Sequence, residues 1–241
     1  MGAVGKLGAK APRVLYGLRT LDAYCVGPLP APRAMVPVPA ETDWGMFGNN
    51  TVGDCVIAGC AHALIAWDTE SAESDPIPTD AAALAQYYAL TGGPDTGLVI
   101  SEVLQTWQTS GLFGGKPIAA FCPINFANVL DLHCAVDFYG DCKLGVALPQ
   151  SAMDQTAANQ PWTVVPGSPI IGGHDVEIVG YDPAYVQIVT WGEIVDVSYP
   201  WLAQYVTEAY AIIPNEFIEA GKGPDLDLKT LQADLASLGT D

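Results

Sequence analysis

The sequence predicts an α+β fold, with N-terminal helices and a buried central helix packed on a C-terminal antiparallel sheet. Half of the 241 residues are hydrophobic, which is enough for a sizeable core. Helical patterns lie mostly in the first half, and one of them carries almost no charge. Short strand-like runs crowd the second half, at a spacing typical of an antiparallel sheet. These runs cover 142–148, 176–181, 185–191, 194–198 and 208–213.

The first 43 residues differ from the rest in composition. They are rich in Gly and Pro and show little periodicity. Proline fixes φ and lacks a backbone N–H, so we expect an extended arm rather than a helix. The arm carries five basic residues before the central region and no acid before Asp22. We therefore expect it to lie over the domain or to dock on an acidic neighbour, including a second copy of this chain.

The central helix is predicted at 55–67, where the sequence CVIAGCAHALIAW is apolar on every side. A helix of this kind is buried. The preceding loop, GNNTVGDC, ends in Asp54, which is a candidate N-cap. Cys55 then lies in the first turn, where backbone amides favour a thiolate.

Further helices are predicted at 79–91, 101–110, 125–132 and 151–159. The tail from residue 214 contains a polar linker and one amphipathic helix at about 226–238. The sequence thus divides into an arm (1–43), a domain (44–213) and a C-terminal linker with a helix (214–241).

Composition excludes several classes of function. Acidic residues outnumber basic ones by 27 to 9, giving a net charge of −18, which disfavours nucleic-acid binding. No apolar run is long enough to span a bilayer, and no secretory signal is evident, so we expect a soluble cytoplasmic protein. The six cysteines form no CxxC pair, and no metal-ligand spacing or phosphate-binding loop occurs. We therefore expect no metal and no cofactor.

Three residues together suggest chemistry. A nucleophilic thiol needs a lowered pKa, a nearby base and donors for the developing oxyanion. Cys55 at a helix start is the candidate nucleophile, and His174, expected at the start of a strand, is the candidate base. Asn49, six residues before Cys55, is the candidate oxyanion donor. The alternatives are a buried structural thiol, a strand-end histidine and a turn asparagine.

The segments that carry these residues, GNNTVGDCVIAGCAH and GGHDVEIVGYD followed by VTWGE, resemble the papain-like cysteine peptidases over about residues 44–213. Together with LGVALPQSAMDQ, they are also similar to uncharacterised papain-like proteins of phages and bacteria. The resemblance implies that Cys55 is a nucleophile, His174 its base and Asn49 a replacement for the usual oxyanion glutamine.

One feature of the papain pattern is missing. Papain-type enzymes carry an Asn that orients the histidine, and alignment on Trp191 places Val189 at that position. Valine cannot accept a hydrogen bond from an imidazole. Thr190 and Asp182 are the two candidates for this orienting role.

Two main functions follow. The first is a cysteine hydrolase with a Cys–His pair that acts on a peptide or protein substrate. The alternative is a phage virion structural or assembly protein, such as a capsid, cement or tail component, that uses the fold as a scaffold. Its N-terminal arm would bind neighbouring virion proteins or further copies of the chain. A third possibility is a binding module with a degenerate cleft.

Overall fold

The computed structural model describes residues 5–40, 43–69 and 76–238, and it confirms the predicted α+β fold. Within these ranges the helices are α1 (Cys55–Asp68), α2 (Asp80–Thr91), α3 (Ile100–Ser110), α4 (Val129–Tyr139), α5 (Gln150–Ala157), α6 (Tyr199–Tyr205), α7 (Asn215–Glu219) and α8 (Leu228–Ser237). The strands are β1 (Ala120–Pro123), β2 (Cys142–Pro149), β3 (Ile170–Tyr181), β4 (Tyr185–Thr190), β5 (Glu193–Ser198) and β6 (Val206–Ile213).

The six strands form one antiparallel sheet in the order β1-β6-β2-β3-β4-β5. Strand β3 lies near the centre and pairs with β2 on one side and β4 on the other. In this register Val146 of β2 lies opposite His174, and Lys143 lies opposite Glu177. The register therefore fixes which side chains of β2 and β3 are neighbours.

Helix α1 fills the space between β3 and the helices α2 and α3. Every residue from Cys55 to Trp67 is buried, as its apolar composition predicts. Asp54 precedes the helix, but its side chain makes no capping hydrogen bond. Asp54 therefore occupies the predicted N-cap position and the helix begins where expected, but its side chain does not cap the helix.

The N-terminal arm lies over the rest of the chain. It is extended apart from a short 3-10 helix at Leu21–Tyr24, and single β-bridges join it to the domain at Ala9–Leu98, Cys25–Leu226 and Val36–Tyr181. The 3-10 helix packs against α8, whose Leu231 and Leu235 are buried. The predicted arm also includes residues 1–4 and 41–42, and the predicted tail includes 239–241; these lie outside the described residues.

Several elements differ from the prediction. Strand β3 begins at Ile170, so His174 lies inside the strand and not at its start. Helix α4 begins after the N-cap Asn128, which accepts a hydrogen bond from the Leu130 N–H, and it runs to Tyr139 instead of ending near residue 132. The elements β1, α6 and α7 were missed because four to seven residues hold too few positions to show a period.

Candidate active site

Cys55 begins α1 and is buried, with 2% of its surface exposed. The backbone N–H groups of Asp175 and Gly8 are directed at its sulfur and favour the thiolate. Burial has the larger effect and, with the Asp175 carboxyl, raises the pKa of Cys55 to about 12. The expected accessible thiol of low pKa is therefore not the state of this structure, because other atoms cover the sulfur.

His174 lies on β3, directly before the residue whose N–H is directed at Cys55. Its Nε2 is 2.7 Å from the Oγ1 of Thr190, and its ring stacks on Trp191 with 4.6 Å between ring centroids. Its Nδ1 is buried and has no hydrogen-bond partner among the described residues. Burial lowers the pKa of His174 to about 3, and the nearby His62 adds to the effect. The imidazole is therefore neutral here, with one nitrogen held and the other unpaired.

The two candidates for the orienting role have different positions. Thr190, at the end of β4, contacts His174 directly. Asp182 does not: its carboxylate accepts hydrogen bonds from the N–H groups of Ala184 and Tyr185 and so stabilises the turn between β3 and β4. The prediction of Asp182 as an orienter was wrong, because seven residues of β3 separate it from His174 and place it just beyond the end of the strand.

Asn49 lies in the loop before α1 and is buried. Its Nδ2 donates a hydrogen bond to the Val52 carbonyl at 3.1 Å, so the amide is turned into its own loop. Its backbone carbonyl accepts a hydrogen bond from the Lys6 N–H at 2.6 Å. Asn49 thus stands beside the site, but its side-chain donor is engaged elsewhere in this structure.

Part of the surroundings of Cys55 is contributed by the N-terminal arm, through Gly8. Residues 6–10 run between the helical side of the molecule, represented by Asn49 and Leu98, and the sheet side, represented by Gly173 and Trp191. We call this space the cleft. The hydrogen bonds to the helical side are Lys6 N–H to Asn49 C=O, Leu98 N–H to Gly8 C=O (2.9 Å) and Lys10 N–H to Leu98 C=O (2.8 Å). Those to the sheet side are Ala9 N–H to Gly173 C=O (3.2 Å) and Trp191 Nε1–H to Lys6 C=O (3.4 Å).

The arm fits in the cleft because glycines meet at its narrowest point. A Cβ atom on Gly8 would lie 1.7 Å from the Gly53 carbonyl oxygen, a distance that no side chain tolerates. A Cβ atom on Gly173 would lie 2.2 Å from the Ala9 carbonyl oxygen, and one on Gly97 would lie 2.2 Å from the Gly8 carbonyl oxygen. The backbone of residues 6–10 therefore fits in the cleft only because glycines line both its helical side and its sheet side.

Sequence reasoning missed three parts of this site: the path of residues 6–10, the stacking of Trp191 on His174, and a buried ion cluster centred on Lys143. For Trp191, the position next to Thr190 was the available signal. Lys143 also gave a signal, since it is a single charge inside an apolar strand. Residues 6–10 gave none, because nothing local indicates which distant backbone they approach.

Among the described residues, no group of three or more His, Cys, Asp and Glu side chains is arranged to hold a metal ion. In the same ranges, no helix is both long and apolar enough to cross a membrane.

The arrangement of helices and sheet is similar to that of solved papain-like cysteine proteases. The fold is similar to the crystal structure of xylellain, a cysteine protease from Xylella fastidiosa, with a TM-score of 0.66 and 13% sequence identity over 89% of this chain and 98% of that chain. It is also similar to proCathepsin B S9 from Trypanosoma congolense, with a TM-score of 0.55 and 13% identity over 87% of this chain and 86% of that chain. No protein-family model and no curated protein matches the sequence. The chain therefore has a papain-like fold, as its motifs predicted.

Proposed function

We propose that this chain is a cysteine hydrolase of peptide or protein substrates, with Cys55 as the nucleophile and His174 as the base. One observation carries the proposal. The imidazole of His174 is held at Nε2 by Thr190, its Nδ1 is buried and unpaired among the described residues, and the next amide along β3 is directed at the Cys55 sulfur. A base oriented at one nitrogen and open at the other is the arrangement that activates a thiol.

The proposed reaction has two steps. The Cys55 thiol gives its proton to the Nδ1 of His174, and the thiolate attacks the substrate carbonyl carbon. The C–N bond breaks, the amine leaves with the proton from His174, and a thioester remains on Cys55. Water, deprotonated by His174, then attacks the thioester, releases the acid and restores the thiol.

The oxyanion of these steps needs hydrogen-bond donors. The backbone N–H of Cys55, at the start of α1, is one candidate, and the side-chain amide of Asn49 is the other. Asn49 donates to Val52 while the arm is in place. Its proposed role requires the amide to turn towards the cleft once Lys6 no longer binds the carbonyl of Asn49.

Because the arm occupies the cleft, we propose that this structure represents a closed state of the hydrolase. Residues 6–10 contact both sides of the cleft, and the Gly8 N–H is directed at the sulfur. A substrate cannot reach Cys55 until these residues leave. Six free cysteines are consistent with a reducing compartment, so we place the activity in the cytoplasm.

The alternative, a phage virion structural protein, predicts that the N-terminal arm reaches a neighbouring subunit. In this structure residues 5–40 lie on their own chain instead, with the buried Leu21 and Tyr24 as anchors. That observation favours the hydrolase, and the predicted phage origin and oligomer enter no step of the proposal.

The test uses the full chain with the arm displaced by a single substitution. Gly8→Leu introduces a side chain that cannot fit against Gly53, so residues 6–10 must leave the cleft. The matched control is Gly27→Leu in the same arm, where the space around the added Cβ is open. Alkylation of each cysteine by iodoacetamide is followed by mass spectrometry from pH 4 to 9.

In Gly8→Leu we expect Cys55 to react at least about tenfold faster than in the wild type, with an apparent pKa below about 8.5. The control should react like the wild type. Adding His174→Ala to Gly8→Leu should remove the low-pKa component. The proposal fails if uncovered Cys55 titrates as an ordinary thiol, or if the loss of His174 does not change its reactivity.

A further inference from the structure

A cluster of three buried charged side chains lies beneath the first turns of α1. Lys143 of β2 is fully buried, and its Nζ donates hydrogen bonds to Asp175 Oδ1 at 2.9 Å and to Glu177 Oε1 at 2.6 Å. Both carboxylates belong to β3 and are also fully buried. We call these three residues the ion cluster. The proposed reaction uses none of the three side chains.

The third hydrogen bond of Lys143 links the ion cluster to the helix. Its Nζ lies 3.4 Å from the carbonyl oxygen of Val56, the residue after Cys55. Asp175, in turn, is the residue after His174. A single ammonium group thus binds the residue that follows each member of the proposed catalytic pair.

Helix α1 is shaped to rest on the ion cluster. A Cβ atom on Gly59, one turn after Cys55, would lie 2.3 Å from Asp175 Oδ1, 2.7 Å from Lys143 Nζ and 2.8 Å from Glu177 Oε1. Any side chain at this position would push the helix away from β3. The absence of a side chain at Gly59 therefore lets α1 approach the three groups of the ion cluster closely.

Stability alone does not account for such a cluster. Buried ion pairs contribute little compared with apolar side chains of the same volume, because each charge loses its hydration. Burial acts to lower the pKa of Lys143, but Asp175, Cys60 and Glu177 outweigh it and leave that pKa well above its usual value. The ammonium stays charged, and its three donors require three acceptors at fixed positions.

We propose that Lys143 is a positioning residue, which fixes the Cys55 thiol against the His174 imidazole by binding Val56 and Asp175 at once. The inference rests on the proposed function, since it concerns the same pair. It differs from a packing role, because an apolar side chain of equal size would fill the space without fixing the relative position of α1 and β3.

The test is a double-mutant cycle in the full-length Gly8→Leu background, where Cys55 is uncovered. His174→Ala and Lys143→Met are introduced singly and together, and Cys55 alkylation is measured from pH 4 to 9. With Lys143 present, we expect His174→Ala to slow alkylation near neutral pH by at least about tenfold. With Met at 143, the same change should slow it by less than about twofold, because the base no longer meets the thiol.

A second variant separates positioning from folding. Lys143→Met, Asp175→Asn and Glu177→Gln together remove all three charges at similar volume. We expect this variant to melt close to the parent but still to lose the effect of His174→Ala. A variant that keeps the full His174 effect without Lys143 overturns the inference. So does a failure of both Lys143 variants to fold, because the cluster is then a requirement of folding.

The same alkylation measurements also test the proposed function separately from the positioning inference. If His174→Ala has no effect even where Lys143 is intact, the Cys–His pair does not operate, and the positioning inference falls with it. If the effect is present with Lys143 and equally present without it, the pair operates and only the positioning inference is wrong.

Discussion

The Nε2 atom of His174 lies 2.7 Å from the Oγ1 atom of Thr190, and both side chains are buried. An amide oxygen at this place would accept a hydrogen bond only and would hold the proton on Nε2. A threonine hydroxyl both donates and accepts, so it orients the ring without fixing the tautomer. Trp191 stacks on the same ring, with 4.6 Å between the ring centroids. The hydrogen bond to Thr190 therefore orients the His174 ring. The surroundings of Nδ1 determine which tautomer the ring adopts.

The first prediction concerns this hydrogen bond. Thr190→Val keeps the volume and removes the hydroxyl, so His174 loses its only hydrogen-bond partner among the described residues. In the Gly8→Leu background we expect the His174-dependent alkylation of Cys55 to fall by about tenfold, because the ring is no longer held. Urea unfolding should show a loss of about 1 kcal/mol for the buried hydrogen bond.

Thr163→Val is the matched control for that prediction. Thr163 is partly buried, and its hydroxyl accepts a hydrogen bond from Gln155 at 2.8 Å. Among the described residues, the side-chain hydrogen bonds at Thr163 are all to Gln155 and none involves His174. A similar loss of stability without any change in Cys55 reactivity would assign the Thr190 effect to the site. An equal loss of reactivity in both variants would contradict the orienting role.

The second prediction is a pH dependence of stability. The folded chain holds His174 at a pKa of about 3, against 6.5 when the residue is exposed. Between these values the unfolded chain binds a proton that the folded chain does not, so stability is lost as the pH falls through 6.5. We expect His174 to account for a loss of about 2 kcal/mol between about pH 7 and pH 5.

Urea unfolding of wild type and His174→Gln at several pH values measures this contribution. His62 has a pKa lowered to about 4 for the same reason, so part of the slope should remain in the variant. His133→Gln is the control: His133 is only partly buried, and burial lowers its pKa less. An unchanged slope in His174→Gln would show that the imidazole meets solvent in the folded protein.

The elements of the fold were predictable where the pattern is local. The apolar run after Cys55 predicted α1, and alternation predicted most of the sheet, because each signal lies within one element. The motif around His174 identified the candidate base. Its partner was left between Thr190 and Asp182, since both follow the histidine within one hairpin and only the register of β3 and β4 separates them.

No local sequence pattern predicts that the arm covers the cleft. Gly8, Gly97 and Gly173 are distant in sequence, and each alone is an ordinary loop or strand glycine. Only the fold brings them together, where the missing side chains let the arm pass. The ion cluster was easier to predict from the sequence. Asp175 and Glu177 alternate along one strand and therefore share a face, which requires a buried cation when that face meets an apolar helix.

The third prediction separates two ways of holding the arm closed. Three arm arginines form ion pairs with acids of the body: Arg13 with Glu102 at 3.8 Å, Arg19 with Asp234 at 3.3 Å, and Arg33 with Asp137. All three arginine side chains are about half exposed or more, and such pairs are weak and screened by salt. The hydrogen bonds of residues 6–10 and the buried Tyr24 do not share this weakness.

Raising NaCl from about 0.05 M to about 1 M should therefore change the alkylation of Cys55 in the wild type by less than about twofold. Gly8→Leu should open the cleft at both salt concentrations. A large increase in wild-type alkylation at high salt would mean that the arginine pairs, and not the backbone contacts, hold the arm in the cleft.

The fourth prediction concerns the packing of α1 on the ion cluster. Alanine in a helix is ordinarily better than glycine by up to about 1 kcal/mol. At Gly59 the added Cβ would overlap three buried charged atoms at 2.3–2.8 Å. Overpacking of this kind costs about 1–3 kcal/mol, and all three groups are fully buried, so we expect Gly59→Ala to destabilise the fold. Urea unfolding measures the change.

The control is Gly27→Ala, which makes the same chemical change at an exposed position with open space. Its stability should differ from wild type by less than about 0.5 kcal/mol. In the Gly8→Leu background, Gly59→Ala should also weaken the dependence of Cys55 alkylation on His174, because the helix that carries the thiol is pushed away from β3. Stabilisation by Gly59→Ala would show that α1 does not rest on the three charged groups, and Lys143 would then lose its hold on the position of Cys55.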